Sequence, residues 1–406
     1  MIQLLTYPDI DPQQWQALVD RSPYATWFQT KEAYEFYASK AEEMTPFAVG
    51  VLESQECDSE AMGNGQWDNS ECKVESVKLK GTDDECKVES VKLKGEENGE
   101  ADTPASIPYT LHPTPTLKGV IVGYITRERN SLKQFFTRRA IIIGGPLLAE
   151  DISATALPAL LKAVKAMGNG LWAIGEENNR QSPIANRPIY IESRNFHDYS
   201  KWKSIFETNG FAYQPHYDIH VHCNDTHNMS ERRQRELKRA IKNGATVVEA
   251  QTEQEIREWY QILSQLYREK VRTPLFSEEF FLQFYRNGVG KYLLVKYDGK
   301  VIGGMMCPIL KSKAIYEWYV CGLDEDYREL YPSVVATHAA IEYAKQNAIP
   351  LFDFMGAGKP DEPYGVRDFK MEFGGELVEH GRFLCIRKPL LYWIGKMGVR
   401  WLKLKR

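Results

Sequence analysis

Apolar and polar residues change period several times along this chain, and each change marks an element. "PFAVGVLES", "LKGVIVGYITRE", "RRAIIIGGPLL", "RPIYIESRN" and the alternating "YDIHVHC" read as strands. Among them, "ATALPALLKAVKAMGNG" has helical spacing and stops at Gly168 and Gly170, and "YSKWKSIFETNGF" is a helix closed by Asn209-Gly210. A second series follows. "SERRQRELKRAIKNG" is a helix with Ser230 as N-cap and Gly244 past its end. "EQEIREWYQILSQLYREK" and "SEEFFLQFYRNG" are helices, and "KYLLVKYDGKVIGGMMCPIL" is a hairpin turned at Asp298-Gly299. "AIYEWYVCGL" is a strand, "PSVVATHAAIEYAKQNA" a helix opened by Pro332, and "PLFDFMGAG" a strand running into a loop.

Helices, an antiparallel meander, then helix and strand thus occur twice. This order predicts an α+β chain built from two copies of one unit, and 406 residues are too many for one ordinary core. A central strand pair followed by a helix and another strand resembles the layout of the acetyltransferase-type (GNAT) fold. The expected division is 1–225, 226–380 and a basic C-terminal segment, 381–406.

One stretch breaks the pattern. Residues 54–107 hold 14 acidic and 6 basic side chains, a net of -8, which leaves +4 for the rest of a chain whose total is -4. Within it "ECKVESVKLKG" occurs twice, from Glu71 and from Glu85. Each copy alternates like a strand but carries too few apolar residues to bury a sheet, so the stretch reads as an exposed insertion at a hairpin tip. The seven cysteines form no C-x-x-C, as expected of reduced thiols in a cytoplasm. The first twenty residues do not read as a signal peptide, and no apolar run is long enough to span a membrane.

Three stretches carry a family resemblance: the basic helix "RELKRAIKNG", the run "YEWYVCGL", and "FDFMGAGKPDEPYGVRDFKMEFGG", where strand, loop and F-K-x-x-F-G-G follow in order. Together they resemble the FemA/FemB/FemX aminoacyltransferases, and "ATWFQTKEAYEFY" resembles that family's N-terminal start. The resemblance covers the chain apart from the insertion. It implies two tandem GNAT-like domains with a cleft between them. It also implies transfer of an amino acid from aminoacyl-tRNA to an amine of a peptidoglycan precursor, lipid-linked or as a UDP-sugar pentapeptide. Aminoacyl-tRNA is the implied donor, a phosphate-bearing precursor the implied acceptor, and no cofactor beyond these is expected, in a monomer. Some members carry a long coiled-coil arm; only modest helices lie between Gln254 and Gly288, so none is expected here.

In "FKMEFGG", Lys370 stands between Phe369 and Phe373 and precedes Gly374 and Gly375. Read alone, the lysine faces an anionic or nucleophilic group in a cleft, or is a solvated residue on a strand with core aromatics. The resemblance implies that Lys370 stabilises the oxyanion of acyl transfer and that Phe369 stacks on the terminal adenine. The glycines permit close backbone approach. Asp353 ends a buried strand, where it could position the incoming amine or cap the loop. Arg272 is the implied phosphate ligand, with Arg268 and Lys270 able to replace it, or these are helix-end cations. Lys31 is a second phosphate candidate, with Lys40 its rival. Tyr316 and Tyr319 are three apart on a strand and should face opposite sides, one toward the cleft. The helix bearing Arg232, Arg233, Arg235, Lys238, Arg239 and Lys242 could follow phosphates or be a solvated face. His216, His220, His222 and His227 lack a third ligand at standard spacing, so no metal is expected.

The last stretch, "RKPLLYWIGKMGVRWLKLKR", has seven basic residues, no acid and bulky apolar positions. It reads as a membrane-surface helix, or as a helix packed on its own domain. The expected location is the cytoplasm, at the inner face of the membrane. The alternative function is an acyl-CoA-dependent GNAT N-acyltransferase acting on a small-molecule or polysaccharide amine. That chemistry seats a pyrophosphate on free amides at a helix N-terminus. The matching "YRELYPSVVATH" has no glycine and Pro332 removes a donor, which disfavours CoA.

Overall fold

The computed structural model describes residues 2–54, 115–127, 137–166, 188–223 and 229–404, with backbone alone from 398. The tandem repeat, Gly168, Gly170 and His227 lie outside the described residues.

The first half begins with β1 (Ile2–Thr6) and α1 (Pro12–Arg21). Asp11 caps α1 by accepting from the amides of Gln13 and Gln14, and Pro12 fills the first turn, where an amide has no helical partner. There follow α2 (Lys31–Ala38), β2 (Met44–Glu53), β3 (Thr116–Thr126), β4 (Ala140–Gly144), β5 (Leu147–Leu148), α3 (Ala156–Ala166), β6 (Tyr190–Asn195), α4 (Lys203–Thr208) and β7 (Ala212–Gln214). β2 and β3 pair antiparallel with Glu53 opposite Thr116, so the chain leaves this hairpin where the insertion was expected.

The second half holds β8 (Tyr217–His222), α5 (Glu231–Lys242), β9 (Thr246–Glu249), α6 (Glu253–Leu266), a π-turn (Tyr267–Val271), α7 (Glu278–Asn287), β10 (Gly290–Tyr297) and β11 (Lys300–Leu310). It continues with β12 (Ala314–Tyr316), β13 (Tyr319–Gly322), α8 (Pro332–Gln346), β14 (Leu351–Asp353), α9 (Gly365–Met371) and β15 (Glu376–Glu379). β16 (Arg382–Ile386) and α10 (Pro389–Leu404) end the described chain. Thr252 and Glu255 form a capping box at the start of α6, whose Ile256, Trp259, Ile262 and Leu263 make one buried face. Each such side chain contributes roughly 1.5–3 kcal/mol on burial.

Two sheets result. The first runs β1-β2-β3-β4-β6-β16-β7, and the second β15-β8-β14-β12-β11-β10-β9, with β5 and β13 as side branches on β3 and β11. The halves trade strands. β8 precedes residue 226 yet pairs with β14 and β15, while β16 follows residue 380 and lies between β6 and β7. Pairing over this distance leaves no local mark in the sequence, which is why the divisions at 226 and 381 do not coincide with the sheets.

One face of the second sheet packs Ile219, Val221, Ile315 and Phe352 against Val334, Ala340 and Ile341 of α8. Its opposite face meets the first half through aromatic rings: Phe28 lies edge-on to Tyr316 at 5.4 Å and to Trp318 at 5.1 Å. Where the two sheets meet there is a cavity of only about 10 Å³, bounded by Arg194, Asn195, His216, Asp218, Gly356 and Arg382. No long coiled-coil arm occurs among the described residues.

Candidate active site

The larger hollow belongs to the second half. It measures about 630 Å³ and lies between β13, the start of α8, α5, the end of α6 and α9. Its floor is an unpaired strand edge. β13 pairs only with β11 among the described residues. Leu323 donates to the Ile302 carbonyl, which sets the alternation of the ladder. Val320 and Gly322 therefore turn their N–H and C=O groups to the free edge, where the cavity is. Gly322 is needed for close packing: a Cβ there would lie 2.7 Å from Ser333 Oγ and 2.8 Å from its amide nitrogen.

The start of α8 is already occupied. Asp324 accepts from the Ser333 amide at 3.1 Å and from the Ser333 hydroxyl, and Pro332 supplies no donor. A carboxylate thus satisfies the terminus that would otherwise attract a phosphate. The cations around the hollow have partners as well. Lys270 pairs with Glu325 at 2.6 Å, Arg232 with Glu236 at 3.1 Å, and Arg233 with Glu372 at 2.6 Å. The Arg233 guanidinium lies 4.4 Å from the Phe369 ring centre, so it covers one face of that ring while Phe369 lines the cavity.

"FKMEFGG" is not a strand. α9 ends within it, and Gly374 at φ 84 turns the chain toward β15. Lys370 is buried behind Phe369. Its ammonium donates to the carbonyls of Phe354 at 2.8 Å and Gly356 at 2.9 Å and pairs with Glu317 at 2.9 Å. An ammonium has three protons, and all three are engaged. The lysine does meet an anion, but that anion is Glu317 of its own chain. Its two carbonyl bonds flank Met355, held at φ 57, and so fasten a left-handed turn that costs about 1–2 kcal/mol. Burial raises the Glu317 carboxyl, with Lys370 opposing.

Beside this pair, Asp218, His220 and Asp353 project from neighbouring strands, with Asp353 opposite His220 in the ladder. Asp218 accepts from the Gly356 amide at 2.7 Å, and Asp353 from the Met355 amide at 2.6 Å, so Asp353 does cap the loop. His220 Nε2 lies 3.5 Å from Asp353 and has no hydrogen-bond partner. Burial, then Asp353, pushes Asp218 up to about 8. Burial works against the His220 cation, but Asp353 and Asp218 outweigh it and push it up to about 9. Burial first, with neighbouring cations or histidines, pushes His197, His216 and His380 down to about 4. One oxygen from each aspartate and one His220 nitrogen lie within 4.8 Å of one another, a set that could hold a metal ion. Histidine spacing alone did not show this, because the other two ligands are carboxylates and one comes from a strand over a hundred residues on.

The structure gathers only some of the candidates. Phe369 reaches the hollow, and Lys370 and Asp353 lie buried behind it. Arg272 is exposed at φ 57, and its Nε donates to the Glu269 carbonyl; of the basic trio, Lys270 is the one that lines the hollow. Lys31 is paired with Glu35 at 2.5 Å on α2, and Lys40 is buried. Tyr316 and Tyr319 do not lie on opposite sides of one strand. The run breaks at Glu317-Trp318, where β12 has paired with β14 and β13 turns to β11. The break resets the alternation, and both rings pack with the same aromatic cluster. Glu317, Asp324, Gly322 and Asp218 escaped the sequence reading, since their partners lie nine or more residues away or across a sheet.

Residues 228–370 match the acetyltransferase (GNAT) domain family. No curated protein matches the sequence. Among solved structures, FemX is similar over 97% of this chain and 99% of its own, with TM-score 0.58 and 13% identity. L-PGS from Bacillus licheniformis aligns over 69% of this chain and 85% of its own, with TM-score 0.46 and 12% identity. A tandem GNAT protein from the clavulanic acid biosynthesis pathway aligns over 95% and 98%, with TM-score 0.47 and 7% identity. The tandem GNAT-like fold expected from the sequence is the one observed, and FemX shares it.

Proposed function

We propose that this chain is an acyltransferase that moves an amino acid from aminoacyl-tRNA to an amine of a peptidoglycan precursor, with transfer along the free edge of β13. The observation that carries the choice of donor is the occupied start of α8. Asp324 fills the seat that a CoA pyrophosphate would need, and Pro332 withholds an amide. The FemX-like fold and the GNAT-type match of residues 228–370 support acyl transfer itself.

In this reading the acceptor amine attacks the ester carbonyl of the charged tRNA. The tetrahedral intermediate carries an oxyanion, which the outward amides of Val320 and Gly322 face. On collapse the ester C–O bond breaks, the ribose hydroxyl leaves with a proton, and the amine gives one up. Lys370 serves as a positioning residue, holding the Phe354–Gly356 turn and Glu317 in place. Phosphates of the substrates would displace carboxylates from Lys270 or Arg232.

The test offers the protein charged tRNA with lipid-linked precursor or UDP-sugar pentapeptide, and separately acetyl-CoA with amine acceptors. Amino-acid transfer that requires charged tRNA is expected. CoA release without tRNA would overturn the reading in favour of an acyl-CoA-dependent N-acyltransferase.

A further inference from the structure

We propose that α10 docks this protein flat on an anionic phospholipid surface. Leu390, Trp393, Ile394 and Met397 are 74%, 64%, 48% and 52% exposed. Their spacing of three, four and seven residues puts them on one side of the helix. Elsewhere large exposed apolar residues are spread over several elements, whereas these four sit together, with exposed Ile386 just before them. The helix is held to the first sheet from another side, where Tyr392 lies edge-on to Tyr190 at 5.4 Å. The apolar stripe is therefore not the surface that packs on the protein. The sequence continues its spacing with Trp401 and Leu404.

Charge decides what covers the stripe. From Gly381 to Arg406 there are eight basic residues, Arg382, Arg387, Lys388, Lys396, Arg400, Lys403, Lys405 and Arg406, and no acidic one. A second copy of this helix would bring like charge against like charge. An anionic bilayer accepts both features, taking up the apolar side chains and attracting the flanking cations. The helix cannot cross: no helix among the described residues is long and apolar enough.

The proposal stands apart from the acyl-transfer reading, because binding is measured without substrate. Full-length protein is mixed with vesicles of phosphatidylcholine alone, or of one part phosphatidylglycerol to three parts phosphatidylcholine, and floated. Binding to the anionic vesicles alone is expected, weakening as salt rises from about 0.05 to about 0.5 M. The double substitution Leu390→Glu and Trp393→Glu should lower partitioning at least about tenfold and leave the melting temperature unchanged, since both side chains are exposed. Lys396→Glu, which spares the stripe, should weaken binding by a smaller factor. No binding to anionic vesicles at low salt overturns the proposal, as do equal binding to both vesicle types and undiminished binding by the double variant. A dimer in solution that the double variant dissociates would identify a second copy as the occupant instead.

Discussion

Two cation–carboxylate pairs differ in kind: one borders the hollow, the other lies buried behind its wall. Lys370 and Glu317 are sealed away, at 10% and 5% side-chain exposure, and the lysine also holds two backbone carbonyls. Lys270 and Glu325 stand in water, at 58% and 75%. A sealed pair cannot trade its partner for a ligand without stranding a charge in a poorly polarisable medium, so it fixes shape. A solvated pair holds its partner weakly and can exchange it. The family resemblance pointed to the sealed lysine as the one that meets substrate; burial points to the solvated one.

The sharpest way to break this contrast is Lys370→Met. Glu317 would be left buried and uncompensated, and the stability loss should be about 3–5 kcal/mol by denaturant titration. Adding Glu317→Gln should recover part of it. Equal losses in the single and double variants would show that the pair is not coupled.

Acid should act next most strongly. His197, His216 and His380 are held near about 4, below the unfolded value of about 6.5, so the unfolded chain binds more protons between those limits. The share of these three histidines is full above pH 6.5 and falls by about 2 kcal/mol on the way to pH 4, after allowing for solvent screening, while Asp218, raised to about 8 by burial, contributes with the opposite sign over the same interval. His220 has the opposite sign: its share is present below about 6.5 and is lost as pH rises through about 9. Proton uptake on unfolding at pH 5 that is unchanged when His197, His216 and His380 are replaced by asparagine would contradict the enclosure of the three histidines.

Asp324→Ala removes the cap of α8 and should cost about 0.5–2 kcal/mol. It also frees the Ser333 amide, so any binding of CoA or inorganic pyrophosphate by calorimetry should strengthen in the variant. Lys270→Ala should be smallest in stability, within about 0.5 kcal/mol, while KM for a phosphate-bearing substrate rises and kcat holds. A large stability loss here would erase the distinction between the two pairs.

What was legible in the sequence was local. Ser230 does accept from the Arg233 amide three residues on, and Gly244 does turn at φ 97. Asp298 and Gly299 do take positive φ in a two-residue hairpin turn. Each is settled by a few neighbouring residues. The strand break at Glu317 was not legible, because it exists only where β12 and β13 choose different partners. Nor was the engagement of Lys370, whose three acceptors lie 14 to 53 positions away in sequence, as the residue numbers 356, 354 and 317 show. Motif order led to one wall of the hollow, through Phe369, and only the packing told which of the motif's residues touch it.

The crossing of β8 and β16 between the sheets has a consequence for gene architecture. A product cut short at residue 380 would lack an interior member of its first sheet, and one begun at 226 would lack the strand joining β14 to β15. The halves are stitched rather than strung, so they cannot be inherited or transplanted as separate cassettes.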